Sequence, residues 1–453
     1  MSNGNDQLQT QKHLDTLNDA LQSGTFLQVR RLIKSLNSAD LAHLLESSPP
    51  RTRQVLWTLV DKDNDGDVLQ WLSSEVQAQL LSGLNAEEVV ALTEGFDTDD
   101  IVDILQHLPD RVTQEVLQSM DIQDRQRVEQ VLTYDEDTAG GLMNTDTITV
   151  RPSHTLDVVL RYLRRHDFLP DMTDNLIVVN RQDKYLGLLP LAKLLVSDPN
   201  MTVREIMTSD INPIPVTMSD TEVAMLFERN DWISAPVVSD DNRLLGRITI
   251  DDVIDVIRED SDHSLMSMAG LDEEEDTFAP VMKATPRRAI WLTINLATAF
   301  IAAAVINLFD DTLEHLVALA VLMPVVASMG GVAGSQTLTV VIRGIALGQI
   351  GRSNTGWLLN RELILSLING LLMSIIASTV CWLWFDDPWI GAIIAAALII
   401  NLLAAAFAGV TLPIVLKSLK IDPALAGSVA LTTVTDAVGF LSFLGLATLY
   451  YLR

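Results

Sequence analysis

The stretch ALAGSVALTTVTDAVGFLSFLGLATLY, residues 424–450, carries a single charged side chain, Asp436. A helix rises about 1.5 Å per residue and a hydrocarbon core is about 30 Å thick, so about 20 apolar residues suffice to cross it. Four further runs of this kind come before it, at 289–309, 316–342, 363–385 and 389–416. The pattern predicts a C-terminal transmembrane domain of five helices, in which Asp436 reads as the only acid at depth. A carboxylate at the bilayer centre costs at least about 2.5–3.5 kcal/mol on insertion scales, so it is expected to face a pore, a partner or a proton path. The chain is expected to move something across a membrane, with Asp436 touching it.

The flanking charges set an expected orientation. Lys283, Arg287 and Arg288 precede the first run; Arg343, Arg352 and Arg361 lie between the second and third, and Lys417 and Lys420 between the fourth and fifth. The alternate loops carry Asp310, Asp311, Glu314, Asp386 and Asp387 and no Lys or Arg. The positive-inside rule then predicts a multi-pass protein of the cell (inner or plasma) membrane, with a cytoplasmic N-terminal part and the C-terminus outside. The polar, acidic N-terminus does not read as a cleavable signal peptide. The single cysteine, Cys381, gives no disulfide or zinc framework. Of the 59 acidic and 31 basic residues, 51 and 22 precede residue 283, so the soluble part has a net charge near −29. That argues against nucleic acid as a partner, because phosphate binding needs a basic patch. It suits a part that gathers cations, although solubility alone explains many acidic surfaces. No P-loop, nucleophile–base constellation or metal-hydrolase motif is present, so an enzyme is not expected.

Residues 1–135 read as a cytoplasmic all-α superhelical domain. Apolar residues recur at three and four (Leu41, Leu44, Leu45; Val89, Val90, Leu92; Ile101, Ile104, Leu105), after N-cap signals at Ser38, Asn85 and Thr98. Asp40–Arg51 is echoed at Asp100–Arg111, with Pro49 matching Pro109. Acids gather at Asp61, Asp63, Asp65 and Asp67 and again at Asp97, Asp99, Asp100 and Asp103; the first set lacks the glutamate at the twelfth position of an EF-hand loop. From 136 to 258 short strands alternate with helices, twice over (about 136–200 and 201–258), with Gly187 and Gly246 in equivalent turns. This duplication resembles a tandem pair of α/β cystathionine-β-synthase-type (CBS) domains. Such pairs often bind adenine nucleotides, which the resemblance extends to ATP here, at Thr249 and Asp252. An acidic connecting or plug helix, 259–285, contains Glu259, Asp260, Asp262 and the run 272–276, and leads into the transmembrane domain, 286–453.

In this order the parts resemble the MgtE family of magnesium channels and transporters over nearly the whole chain. The motifs that carry the resemblance are YDEDTAGGLM (134–143), GGVAGSQ (330–336) and DPAL…TTVTD (422–436). The resemblance implies a homodimer in the lipid bilayer. Its two copies of Asp436 would face each other across a divalent-cation pore, with Mg2+ both transported and regulatory. On a helical second span Ser328, Gly331, Ser335 and Thr339 share one face, and on the fifth Ser428, Thr432 and Asp436 do. These are the pore-lining candidates, with close helix packing as the plain alternative for the glycines. Mg2+ dehydrates reluctantly, so hydroxyls and carbonyls around its water shell plus one carboxylate per chain would serve. Two positions depart from the family's usual pattern. Val332 stands where an asparagine is common, and His263-Ser264 where two acids are common.

The family also implies closure by cytosolic Mg2+ bound between acidic faces. The regulatory candidates are Asp99 and Asp103, Asp251, Asp252 and Asp255, Glu259, Asp260 and Asp262, and Asp422 at the mouth of the fifth span. Two like charges about 6 Å apart in water repel by only about 0.7 kcal/mol. Moving a two-state equilibrium from 1:99 to 99:1 takes about 5.5 kcal/mol, so a cluster is needed. The rival readings are another divalent such as Co2+ or Mn2+, and a proton-coupled carrier with Asp436 as its protonation site. A nucleotide-controlled anion channel is disfavoured because the pore has an acid and no base at depth.

Overall fold

The computed structural model describes residues 26–451 except 63, 94, 95, 167, 272–275 and 352, and omits the side chains of residues 26–28, 283 and 287. Asp63, residues 272–275 of the connector, Arg352 and the side chains of Lys283 and Arg287 therefore lie outside the described residues. The chain divides into two compact units, Met1–Ser261 with Glu274–Pro280, and Asp262–Glu273 with Val281–Arg453.

The first unit begins with short helices, Phe26–Ile33 to Ile122–Val131, packed on Leu44, Leu45, Leu56, Leu69 and Val102, all at most 1% exposed. The echo in the sequence is a repeated helix–turn–helix. Ser38–Glu46 turns at Pro49 into Pro50–Trp57, and Thr98–Gln106 turns at Pro109 into Asp110–Ser119. Each turn has a side chain returning to the carbonyl at the end of the first helix. Arg53 Nε donates to Leu45 O at 3.0 Å, and Thr113 Oγ1 to Leu105 O at 3.0 Å. Two expected caps shift by one residue. Asn37, not Ser38, accepts the Asp40 N–H, and Asp97 rather than Thr98 flanks its helix. Asn85 forms a full capping box with Glu88.

Two three-stranded sheets follow, β1 (Thr149–Val150), β2 (Asn175–Val179) and β3 (Tyr185–Pro190), then β4 (Ile214–Pro215), β5 (Ser234–Val238) and β6 (Leu244–Thr249). In each the first strand pairs parallel to the second and the second antiparallel to the third, with a bulge at the same place. Gly187 and Gly246 are equivalent because another backbone crosses each at contact. A Cβ there would lie 2.5 Å from Thr208 O or 2.6 Å from Asn144 O. The second sheet's Ile214, Val237 and Ile248 share one core with the helical domain, and the first sheet has its own. From β6 the helix Ile250–Met268 runs on without a break, through the point where the sequence suggested a domain boundary.

In the second unit five helices among the described residues are long and apolar enough to cross a membrane: Ala284–Asn307, Val317–Ala346, Thr355–Phe385, Pro388–Ser418 and Pro423–Tyr451. The fourth is the hub. Its buried face runs from Ile390 to Pro413 and packs on the second, third and fifth. The third span starts at Thr355, well before the expected Leu363, and so takes in Arg361 and Glu362.

Candidate functional site

In the membrane unit the two polar stripes lie on open faces of neighbouring helices. Ser328, Ser335 and Thr339 of the second span are exposed and Gly331 is half-buried; on the fifth, Thr432 is exposed and Ser428 and Asp436 are half-buried. The glycines separate by role. A Cβ on Gly331 would meet nothing within 4 Å, whereas one on Gly334 would fall 2.9 Å from Leu431 and one on Gly330 2.2 Å from Asn401. Gly330 and Gly334 therefore serve packing, and Gly331 faces open space. The hydroxyls are oriented too. Ser335 donates to Val332 O at 2.9 Å and Thr432 to Ser428 O at 2.9 Å. With their protons committed to the helix, these oxygens present lone pairs outward. That suits accepting hydrogens from the water shell of a cation. Val332 is 53% exposed beside this stripe.

Asp436 is not the only acid within the bundle helices. Glu362 is 7% exposed, accepts a hydrogen bond from Thr337 Oγ1 at 3.2 Å and pairs with Arg361 Nη1 at 2.6 Å. Sequence reading placed it in the loop before the third span. Asp422 caps the fifth span, accepting from Ala424 N at 2.9 Å and Leu425 N at 3.1 Å. Its second neighbour is His263 Nε2 at 3.3 Å, so at this contact the connecting helix offers an imidazole. Asp262, on the same helix, is exposed.

The first unit gathers acids from two elements. Asp97, Asp99, Asp100 and Asp103 start one helix, and Asp251, Asp252, Asp255 and Glu259 lie on the early turns of Ile250–Met268. Asp99 is 5% exposed and its Oδ1 has no hydrogen-bond partner among the described residues. Burial, then Asp252, Asp100, Asp97 and Asp103, hold its carboxyl well above the usual range. Burial and then Asp251 push Asp252 up to about 8, against the hydrogen bonds it accepts from Thr249. Asp100 is raised to about 6 by burial and then Asp97, while Gln70 Nε2 donates to it at 2.8 Å. Asp103 still reaches solvent, yet the protein packed around it, then Asp100 and Glu259, push it up to about 7. Asp255 keeps an exposed side chain, yet the protein packed around it raises its carboxyl somewhat, with Arg258 at 3.7 Å opposing. Glu259 and Asp260 are exposed on the same helix.

Among the described residues no three His, Cys, Asp or Glu side chains converge closely enough to ligate a metal directly. The cluster suits a cation held through its waters, as Mg2+ usually is. Thr249 Oγ1 donates to Asp252 Oδ2 at 2.9 Å, so the two residues expected at a ribose contact each other.

Comparisons with known proteins follow the same divisions. Residues 323–446 match a family described as divalent cation transporter, MgtE. Residues 36–137 match the MgtE intracellular N domain, and 139–197 and 203–259 each match the CBS domain. The chain is similar to the magnesium transporter MgtE of Bacillus subtilis (strain 168), 29% identical over 432 residues and 95% of each chain. It is also 29% identical to the magnesium transporter MgtE of Thermus thermophilus, over 96% of this chain and 97% of that one. A crystal structure of the cytosolic domain of the Mg2+ channel MgtE in complex with ATP is 33% identical, covering 54% of this chain and 99% of that chain, with a TM-score of 0.49.

Proposed function

We propose, from the premise that this chain belongs to the MgtE family of divalent cation transporters, that it carries Mg2+ through a pore lined by its second and fifth spans. The observation that carries this reading is the pair of open polar stripes. Hydroxyls with their protons turned inward flank one half-buried carboxylate, an arrangement that accepts hydrogens from a hydrated cation and neutralises part of its charge. One carboxylate per chain supplies half of a dication's charge, so a homodimer with two copies of Asp436 facing each other completes it. The loop charges favour a cytoplasmic N-terminal part and an external C-terminus.

Closure by cytosolic Mg2+ follows from the first unit's acids. Burial and then the charge of Asp252 disfavour the ionised form of Asp99, and a divalent ion that neutralises the two favours the closed pairing of their elements. The cluster supplies several such pairs, as the arithmetic of a two-state gate requires. ATP at the CBS pair is the weaker part of the reading, given the acids around Asp252.

The test is Mg2+ uptake into proteoliposomes at matched reconstitution. Wild type should take up Mg2+, and Asp436→Ala should lose at least about tenfold of the rate. Undiminished uptake by the variant would take Asp436 out of the ion's path. A second reading, transport of Co2+ or Mn2+, is favoured only by Val332 on the open stripe, and the same vesicles loaded with those ions decide it. Flux that follows an imposed pH gradient rather than the ion's own gradient would point to a proton-coupled carrier.

A further inference from the structure

Asn401 lies in the middle of the fourth span, is 0% exposed, and is drawn into neither the polar stripes nor the acidic cluster. Its Nδ2 donates to the Val326 carbonyl of the second span at 2.9 Å. Its Oδ1 has no hydrogen-bond partner among the described residues. The amide is seated between two glycines of the two helices that carry the stripes. A Cβ on Gly330 would come 2.2 Å from Nδ2, and one on Gly439 2.8 Å from it. Those glycines sit one residue before Gly331 and three residues after Asp436. A leucine has the same branched skeleton and would leave no acceptor unpaired in a region with no water to satisfy it. The polar residue and the two missing Cβ atoms therefore do something that apolar packing does not.

We propose that Asn401 is a positioning residue for ion passage: its amide, tied to the Val326 carbonyl between Gly330 and Gly439, sets the spacing of the second and fifth spans at the level of Asp436. The donated hydrogen bond fixes the second span against the fourth. The glycine at Gly439 lets the fifth span close onto the same amide. A change of a few tenths of an ångström in that seat moves the Gly331 face relative to Asp436, which is where a hydrated ion would be measured. This rests on the reading that Asp436 lies in the ion's path.

The test uses the full chain in proteoliposomes, comparing wild type, Asn401→Leu, Asn401→Ala, Gly330→Ala and the double variant Asn401→Ala/Gly330→Ala, each at equal folded protein. Asn401→Leu should fold, yet change the ratio of Mg2+ to Co2+ uptake by about tenfold, the scale of a coupled contact. Gly330→Ala should lose most of its maximal rate, because its methyl displaces the amide, and removing that amide in the double variant should restore it to the level of Asn401→Ala. Wild-type half-saturation and ion ratio in Asn401→Leu would overturn the proposal. So would a Gly330→Ala defect that persists undiminished in the Asn401→Ala background. Should Gly330→Ala fail to fold, Gly439→Ala in the same two backgrounds gives the same readout. Full uptake by Asp436→Ala would sink the pore reading by itself, and the proposal with it. Failure of the Asn401 variants to alter the ion ratio, with Asp436→Ala inactive, would sink the proposal alone.

Discussion

Glu362 and Asp436 are both carboxylates in apolar helices, and their partners separate them. Glu362 is almost wholly buried, holds Arg361, and accepts from Thr337, whose Cγ2 in turn packs 3.0 Å from where a Cβ on Gly409 would lie. It is a joint between the second, third and fourth spans. Thr337→Val keeps the shape of that joint and removes its hydroxyl, leaving one carboxylate oxygen without its donor. The expected cost is about 1–3 kcal/mol, read as a lower melting temperature of the detergent-solubilised chain, with Thr337→Ser close to wild type. Equal melting of wild type and Thr337→Val would mean that the 3.2 Å contact contributes nothing. Asp436 stands out in the sequence because a lone charge in a long apolar run has few structural uses. Glu362 was not, because Asn360, Arg361 and Glu362 together lower the local hydropathy enough to read as a loop. Hydropathy measures the residues; burial of that turn is supplied by the helices beside it.

At the scale of elements, the repeat in the helical domain was visible as a spacing, but what one copy does differently was not. Where the second copy has Thr113 returning to a carbonyl, the first has Arg53, 0% exposed. Its Nη1 bonds Gln79 at 2.7 Å and Asp276 at 2.8 Å, and the backbone N–H of Asp276 donates to Glu75 at 3.0 Å. A segment five residues before the helix of the first span is thus held in the helical domain by a buried ion pair, across 223 residues of sequence. Removing one partner of such a pair leaves an uncompensated charge and costs about 3–5 kcal/mol; removing both often costs little. Arg53→Met should therefore melt far lower than wild type and expose residues 276–280 to protease. Arg53→Met/Asp276→Leu should recover much of the loss. Equal damage in the single and double variants would show that Arg53 matters for its bonds to Leu45 and Gln79 instead. No signal in the sequence joins residues 53 and 276, since ion pairs at long separation follow from topology. The caps at Asn37 and Asp97 missed by one residue for a smaller reason: adjacent Asn-Ser and Asp-Thr pairs both carry suitable oxygens, and backbone geometry chooses between them.

At the scale of the whole molecule, the strongest physical statement is the proton affinity of the acidic cluster. Its acids were each visible in the sequence, and the resemblance grouped them. That Asp99 would be buried with an oxygen unpaired among the described residues, within reach of the charge of Asp252, needed the fold. Carboxyls raised in the folded state bind protons more tightly there than in the unfolded chain, whose value is near 3.9. Their contribution to stability is complete below about pH 4 and is lost as pH rises through the folded values, about 6 for Asp100 and about 8 for Asp252. Without divalent cations, the helices Thr98–Gln106 and Ile250–Met268 should therefore exchange their amides faster at about pH 8.5 than at about pH 5.5, after correction for intrinsic rates. If the cluster holds Mg2+ as proposed, the ion competes with those protons and should protect the two helices strongly at the higher pH and little at the lower one. Asp252→Asn should remove most of the difference between the two conditions, since one neutral amide relieves the repulsion at every pH. Protection by Mg2+ that is equal at both pH values, or unchanged in Asp99→Asn and Asp252→Asn, would separate the cluster from cation sensing. The proposed closure would then rest on the exposed acids of the connecting helix, where Asp260 and Asp262 become the next residues to neutralise.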